Sequence, residues 1–595
     1  MGQLTPTRGI EEWTSMPAVA SSPVAVDALR VTPNSRLSFQ AIVLGLCVAL
    51  LLFLVAYPLL WLVMGALGMP QSFGLEHLLR AFARPQNYAA LVNTLQLALG
   101  TGLMSVVIGV PLAWATARTD MPLRQVVHAL VALSYITPPY LTALAYIFLL
   151  GPDAGHFNRL LQPAFGFASG PINIFSMAGV IFVIGIHVFA FTYFLTHSAL
   201  KSVDASLEES AQMLGARRWQ TVLRINFPLV APAITGGALL AAIDSLALFG
   251  PQAIIGTPAQ IVFLPTRIYA TIGSYPPRWA EASALSLLLV VLTVAGLALQ
   301  RGYLERRSYV TVGGRGVRTQ MVYLGAWRWP LLAFCLTVVF FSAVAPIGVL
   351  GVNAFSRSWT EPISLGNLTL AHFNSALFQD QVAVRGIINS FKLATAAATV
   401  AVLIGAAVAY LDLRTDLRGR RMLDYLAILP LGLPGTVMAV GILLAFIRLP
   451  IPIYGTIWIL LVAYVARFIP LATRSANTTF RQIDPSLEEA GRITGATWWH
   501  AIRRILVPLS RPGLLVAFLL VFIPAFGELS ATILLYTGGT ETIAIAIYRL
   551  NDLGQLEVVS ALAVFTIVVV LTLAALVNWL SGSGWASDET PAVRG

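Results

Sequence analysis

Two pairs of adjacent carboxylates stand at matching places in a chain that carries few charges. Glu208 and Glu209 open a stretch that passes through Gly215, Trp219 and Arg224 to Pro228 and Pro232. Glu488 and Glu489 open a second, through Gly495, Trp499 and Arg504 to Pro508 and Pro512, each residue 280 positions after its counterpart. Two further carboxylates, Asp244 and Glu528, lie inside apolar runs. A charge there costs at least about 2.5 kcal/mol on insertion scales and so points to a cavity or a pathway. The counterpart of Asp244 is Pro524 and that of Glu528 is Leu248, so each half supplies one carboxylate, about one helical turn apart in register. They could line a path for a cation, or instead pair with arginine or cap a helix broken at Gly250-Pro251 or Pro524. His187, His197, Lys392 and Arg467 are expected near span ends or in helix contacts.

Other chemistry is missing from the sequence. Its two lysines, Lys201 and Lys392, follow no Gly-x-x-x-x-Gly pattern, so no phosphate-cradling loop is present and any ATP must be hydrolysed by a separate protein. There is no His-Glu-x-x-His, Cys-x-x-Cys or nucleophile-elbow motif. The seven histidines are dispersed rather than spaced as metal ligands. No metal site, cofactor or catalytic residue is expected. Cys47 and Cys335 lie far apart inside apolar runs and read as packed thiols.

The elements that must hold these residues are membrane spans. The chain of 595 residues is 57% hydrophobic and 11% charged, with mean hydropathy +0.80; an ordinary globular protein is roughly a quarter charged. Apolar runs long enough to cross the hydrocarbon core recur near 41–68, 89–117, 125–150, 172–198, 229–251 and 281–300. A second set lies near 328–355, 385–411, 422–447, 453–478, 510–535 and 556–580. Arginines concentrate in alternate loops, which places both termini and both duplicated stretches in the cytoplasm and gives twelve spans. The net charge of +11 is thereby a membrane-topology signal rather than a nucleic-acid footprint.

The repeat is wider than the loops. Asn93-Thr-Leu-Gln-Leu-Ala98 matches Asn389-Ser-Phe-Lys-Leu-Ala394, and Gly109, Arg118-Thr-Asp120 and Pro138 return as Gly405, Arg414-Thr-Asp416 and Pro434, all at an offset of 296. Both repeats run in the same direction, as in two-halved transporters. The expected fold is an all-α polytopic membrane protein of two parallel six-helix repeats. Its parts are a flexible cytoplasmic tail at 1–40, a first half at 41–300, a cytoplasmic linker at 301–327, a second half at 328–580 and a C-terminal tail at 581–595. Pro138-Pro139, Pro430 and Pro434 mark candidate kinks.

Within each duplicated stretch, Ser206 with Glu209, and Ser486 with Glu489, read as capping boxes that start a helix. Gly215 and Gly495 allow a sharp bend. A second short helix follows, with Trp219, Val222 and Leu223, or Trp499, Ile502 and Leu506, on one apolar stripe, and a proline closes it at 228 or 508. Such an element can dock in a groove on a soluble partner or lie on lipid; duplication favours a two-fold partner.

Glu209-Ser-Ala-x-x-x-Gly215 ending Ile225-Asn-Phe-Pro228, and Glu489-Ala-Gly-x-x-x-Gly495 ending Ile505-Leu-Val-Pro508, resemble the EAA loop of ABC importer permeases. Ser210 replaces the first Ala of that motif in one copy and Gly491 the last in the other. The resemblance covers nearly all of the chain after residue 40. Arg306-Arg-Ser-Tyr-Val-Thr-Val-Gly-Gly-Arg-Gly316 and Gly527-Glu-Leu-Ser-Ala-Thr-Ile-Leu-Leu-Tyr536 are similar to fused permeases of the ferric-iron type. The resemblance implies the type I importer fold in a bacterial inner membrane, and two ATPase subunits gripping the loops through Glu208, Glu209, Gly215, Trp219 and Pro228, and through Glu488, Glu489, Gly495, Trp499 and Pro508. It further implies a periplasmic or lipid-anchored binding protein and a transport subunit that is itself no enzyme. Related permeases serve aminoethylphosphonate, thiamine and polyamines. A secondary transporter is the rival reading.

Overall fold

Apolar runs without water to bond must satisfy their backbone internally, and the chain does so with helices. The structure, a computed structural model, describes residues 39–69, 73–165, 170–306, 321–361, 364–450 and 452–580. The expected terminal tails, apart from residues 39–40, and linker residues 307–320 lie outside the described residues. The first half contains α1 (Gln40–Ala66), α2 (Pro85–Arg118), α3 (Arg124–Ile136), α4 (Pro139–Leu150), α5 (Met177–Lys201), α6 (Ala205–Met213), α7 (Val222–Ala247), α8 (Leu264–Ile272) and α9 (Trp279–Leu304). The second contains α10 (Gly325–Phe355), α11 (Gln381–Arg414), α12 (Arg420–Gly432), α13 (Gly435–Phe446), α14 (Ile457–Arg481), α15 (Ser486–Ile493), α16 (Trp498–Phe526), α17 (Ile543–Asp552) and α18 (Leu556–Leu580).

Ten of these are long and apolar enough to cross a membrane without interruption. The runs at 125–150 and 422–447, expected as single spans, are instead bent pairs. Helices α3 and α4 meet at 102°, and α12 and α13 at 114°. The cause is local: a residue before proline is driven out of the helical region. Thr137 before Pro138 has ψ 127°, and Leu433 before Pro434 has ψ 122°. Prolines elsewhere are absorbed differently. Leu52–Ala56, Val222–Asn226, Phe340–Val344 and Ile502–Leu506 each form one wide helical turn two residues ahead of a proline (Pro58, Pro228, Pro346 and Pro508), so the helix continues through it.

The repeat shows itself in the packing. In the first half α2, α5 and α7 form a mutually packed trio; in the second, α11, α14 and α16 do the same. The duplicated glycines make this contact possible. A Cβ on Gly109 would stand 3.0 Å from the Phe189 carbonyl oxygen, and one on Gly405 would stand 2.8 Å from the Thr473 nitrogen. The Asn-Thr and Asn-Ser pairs also acquire a purpose. Thr94 Oγ1 and Ser390 Oγ accept the Leu264 and Ile543 amides that begin α8 and α17. Asn93 and Asn389 donate to the carbonyls of Val262 and Glu541 beside them. The halves are interlocked: α1 packs on α13, and α10 packs on α4, so the first helix of each half lies against the other half.

Candidate docking loops and central cavity

The loop helices start earlier than a capping box would place them, at Ala205 and Ser486. Asp204 and Asp484, rather than Ser206 and Ser486, bond the opening of the helices: their Oδ1 atoms accept the amides of Ser206 at 3.0 Å and Ser486 at 2.9 Å. In the second copy Pro485, whose fixed φ suits a helix start, immediately precedes α15; the first copy has Ala205 at that place and makes the same bond. That hydrogen bond holds the Asp484 carboxyl below its ordinary range. The bends fall where expected. Gly215 and Gly495 have φ of +87° and +88°, and the Ala216 and Ala496 amides reach back to the carbonyls of Ala211 and Gly491 at 3.0 Å, a left-handed helix stop.

The two glutamates of each pair do different work. Glu209 and Glu489 are exposed. Glu208 is buried against Arg118 at 3.0 Å, and the Arg118 Nη2 also donates to the Val203 carbonyl at 3.1 Å. Glu488 is buried against Arg414 at 3.4 Å, with Tyr410 Oη donating to it at 3.4 Å, while Arg414 also holds the carbonyls of Phe480 and Ile483. Burial pushes the Glu208 carboxyl above its ordinary range, and Arg118 draws it back. The duplicated Arg-Thr-Asp therefore anchors the duplicated Glu-Glu, a link between two motifs that stand apart in the sequence.

The expected apolar stripe is redistributed. Leu506 is buried in the membrane domain, and Trp498 lies edge-on to Tyr410. The second short helix is not a separate element: it runs through the wide turn and through Pro228 or Pro508 into α7 or α16. The apolar surface left outward comes from the bend itself, with Met213 at 85%, Leu214 at 89% and Ile493 at 86% exposure, together with Leu223 and Trp499. Arg217, Arg224, Arg503 and Arg504 flank it. Trp219 sits on the turn Arg218–Thr221, with its side chain outside the described part of the structure.

Between the halves lies a cavity of about 1600 Å³. Asp244 and Glu528 both line it, as do His187 and Arg467, which are expected from the sequence at span ends or in helix contacts. His187 and Arg467 occupy equivalent positions on α5 and α14, 280 residues apart. Their equivalence is concealed because the two side chains differ. Glu528 is paired as well as cavity-facing: its Oε2 lies 3.3 Å from Arg467 Nε, and its Oε1 accepts the Ala531 amide at 2.7 Å. The bends at Pro138-Pro139, Gly250-Pro251 and Gly527 reach the same cavity. Cys47 and Cys335 are buried, unpaired thiols.

Two interlocked helical halves, each with a matched loop, define a class of membrane protein, and comparison with known proteins identifies it. The family of binding-protein-dependent transport system inner membrane components matches residues 105–308 and again 401–582, more than half of the chain. The chain belongs to that family: it is an ABC importer permease with both halves fused, a multi-pass inner-membrane transport subunit. It is similar to a Haemophilus influenzae permease named for ferric transport, 29% identical over 83% of this chain and 78% of that one. It is also similar to the ferric transport system permease protein FbpB of Actinobacillus pleuropneumoniae, 28% identical over 90% of this chain and 77% of that one. A Salmonella choleraesuis permease named for 2-aminoethylphosphonate transport is 28% identical over 42% of this chain and 94% of its own length.

Proposed function

We propose that the chain imports ferric iron, received from a periplasmic binding protein and released to the cytoplasm by alternating access, with ATP hydrolysed by two copies of a separate ATPase docked on the loops of α6 and α15. The observation that carries the docking is the matched architecture of the loops. Each presents one outward glutamate and an exposed apolar bend, on a base fixed by a buried Arg–Glu pair. Such a bend fits a groove in the helix-in-groove manner. With both loops and both termini in the cytoplasm, closure of the ATPases would draw the loops together, and rocking of the interlocked halves would change access to the cavity. The ferric assignment is supported by relatives that align over most of the chain, whereas the phosphonate relative aligns over 42% of it, about one half.

That relative keeps aminoethylphosphonate as the second reading. Uptake of radioactive iron, in a strain deleted for the chain and complemented with it, tests the assignment. Iron uptake that needs ATP and persists in excess aminoethylphosphonate is the expected result. Competition by the phosphonate with no iron uptake selects the second reading. Transport in vesicles holding the chain without any ATPase defeats the importer mechanism.

A further inference from the structure

Helix α2 is 34 residues long, and a rise of about 1.5 Å per residue carries it about 50 Å from Arg118, at the docking loop, to a cluster of arginines on the opposite side of the membrane. There Glu281, buried at the start of α9, accepts from Arg84, from Arg278 at 3.0 Å and from Arg267 at 3.2 Å. Asn87 Nδ2 donates to the same carboxylate at 2.9 Å, and Arg267 Nε donates to Asn87 Oδ1 at 2.7 Å. Among the described residues the three guanidiniums share this single carboxylate, so positive charge is in excess. Arg267 is enclosed, whereas the side chains of Arg84 and Arg278 are 47% and 35% exposed. Arg278 closes the turn before α9 on Ser274 and Thr271, and Tyr275 in that turn is wholly exposed. The second half differs at the same end. Asp380 precedes α11 where Arg84 precedes α2, 296 residues earlier, and its Oδ1 accepts the Ala383 amide at 2.7 Å. A negative charge is the one a helix start favours, and Arg84 brings the opposite sign. Glu541, buried beside α17, pairs with Arg549 at 3.1 Å, one arginine to one carboxylate.

Arginine and tyrosine are enriched where proteins associate, and partly exposed guanidiniums steer a partner of opposite charge. We propose that Arg84, Arg278 and Tyr275 form a docking surface for a carboxylate-bearing patch of the periplasmic binding protein; this rests on the importer reading, with the loops of α6 and α15 in the cytoplasm. Glu281, itself held by Arg267 and Asn87, fixes the two guanidiniums before the partner arrives, so less ordering is lost on docking. A binding protein that meets two similar halves could seat either way round. The surplus of arginine on one half and the balanced pairs on the other select a single orientation.

The test places the photo-crosslinking residue benzoylphenylalanine in the full chain in growing cells, at Tyr275 or at Leu365, which is exposed on the outer side of the second half. Mass spectrometry of the adducts should find an acidic stretch of a periplasmic binding protein at position 275 and a different stretch of it at position 365. The linked protein is then purified and bound to the chain in nanodiscs at low and high salt. Arg84→Gln combined with Arg278→Gln leaves Arg267 on Glu281, and should weaken binding about tenfold or more and flatten its salt dependence at unchanged elution volume. Arg84→Glu should bind poorly to the native partner and regain affinity for one in which the linked carboxylate is replaced by lysine, a rescue that a merely structural arginine would not give. Adducts with lipid alone at position 275, the same stretches linked at both positions, or full-affinity binding by the double variant overturns the surface. Uptake separates the two readings: uptake that needs a binding protein and survives the double variant defeats the surface alone, and uptake without any binding protein defeats the importer reading beneath it.

Discussion

Arg118 and Glu208 illustrate why a buried ion pair is kept when it adds little stability. Both are almost wholly buried, and the glutamate carboxyl is raised by that burial despite the arginine beside it. The sign follows. A carboxyl with a raised value binds its proton more readily folded than unfolded, so the stability it contributes declines as pH rises from the ordinary carboxylate range through the raised value. The ionised pair thus positions the loop rather than stabilising the fold. Removing Glu208 leaves the Arg118 charge buried without its carboxylate. Glu208→Ala should cost about 3–5 kcal/mol, whereas replacing both residues with methionine should be near neutral. Thermal melting of the three proteins in detergent gives this comparison, and iron uptake gives the second half of it. The double variant should melt like the wild type yet transport poorly. Equal drops in stability for the single and double variants would show that the pair is a stabilising contact after all.

At the scale of elements, the loops carry the outward glutamates on short helices whose ends are fixed by Asp204 and Gly215, or by Asp484 and Gly495. Charge reversal at Glu209 and Glu489 changes exposed groups only, so insertion and folding should be unaffected. Removing one partner of a charged pair in a docked interface costs about 2–5 kcal/mol, enough to strip the ATPase or uncouple it. The expected result is ATP hydrolysis without uptake in proteoliposomes, or an ATPase that no longer co-purifies; a double Glu→Lys variant with normal uptake would show that the loops are not the docking surface. Much of this element is legible in the sequence because its signals are local. A glycine at a helix stop and apolar runs at span length need no tertiary knowledge. The opening bond falls on aspartate rather than the expected serine because Asp-x-Ser and Ser-x-x-Glu overlap in both copies, with Ala205 or Pro485 between. The Arg–Glu anchor is hidden because its partners belong to motifs with offsets of 296 and 280, so only the folded chain joins them. The equivalence of His187 and Arg467, and with it their shared place on the cavity, is hidden for the opposite reason: equivalent places hold unlike side chains, and a repeat search passes over them.

Across the whole molecule, fusion makes the two docking loops inequivalent. The described end of the linker is laid alongside the Arg-Thr-Asp of the first half: the Val322 amide donates to the Arg118 carbonyl at 2.7 Å, and Asp120 Oδ1 accepts the Leu324 amide at 2.9 Å. Thr119 and Val322 form a parallel bridge. In the second half the corresponding Asp416 pairs, among the described residues, with nearby Arg420 at 2.9 Å and largely exposed, a contact worth about 0–1 kcal/mol. The backbone that carries Arg118, and through it Glu208, is therefore tied to the chain joining the halves, while among the described residues the backbone of Arg414 has no such tie. Asp120→Ala should speed hydrogen exchange in segments 118–124 and 321–327 and lower the iron imported per ATP hydrolysed. Asp416→Ala should leave both quantities near wild type, since it removes only a surface pair. Equal effects from the two substitutions would mean that the linker merely connects. Unequal ones would mean that fusion has given the first loop a restraint that two separate six-helix subunits could not share.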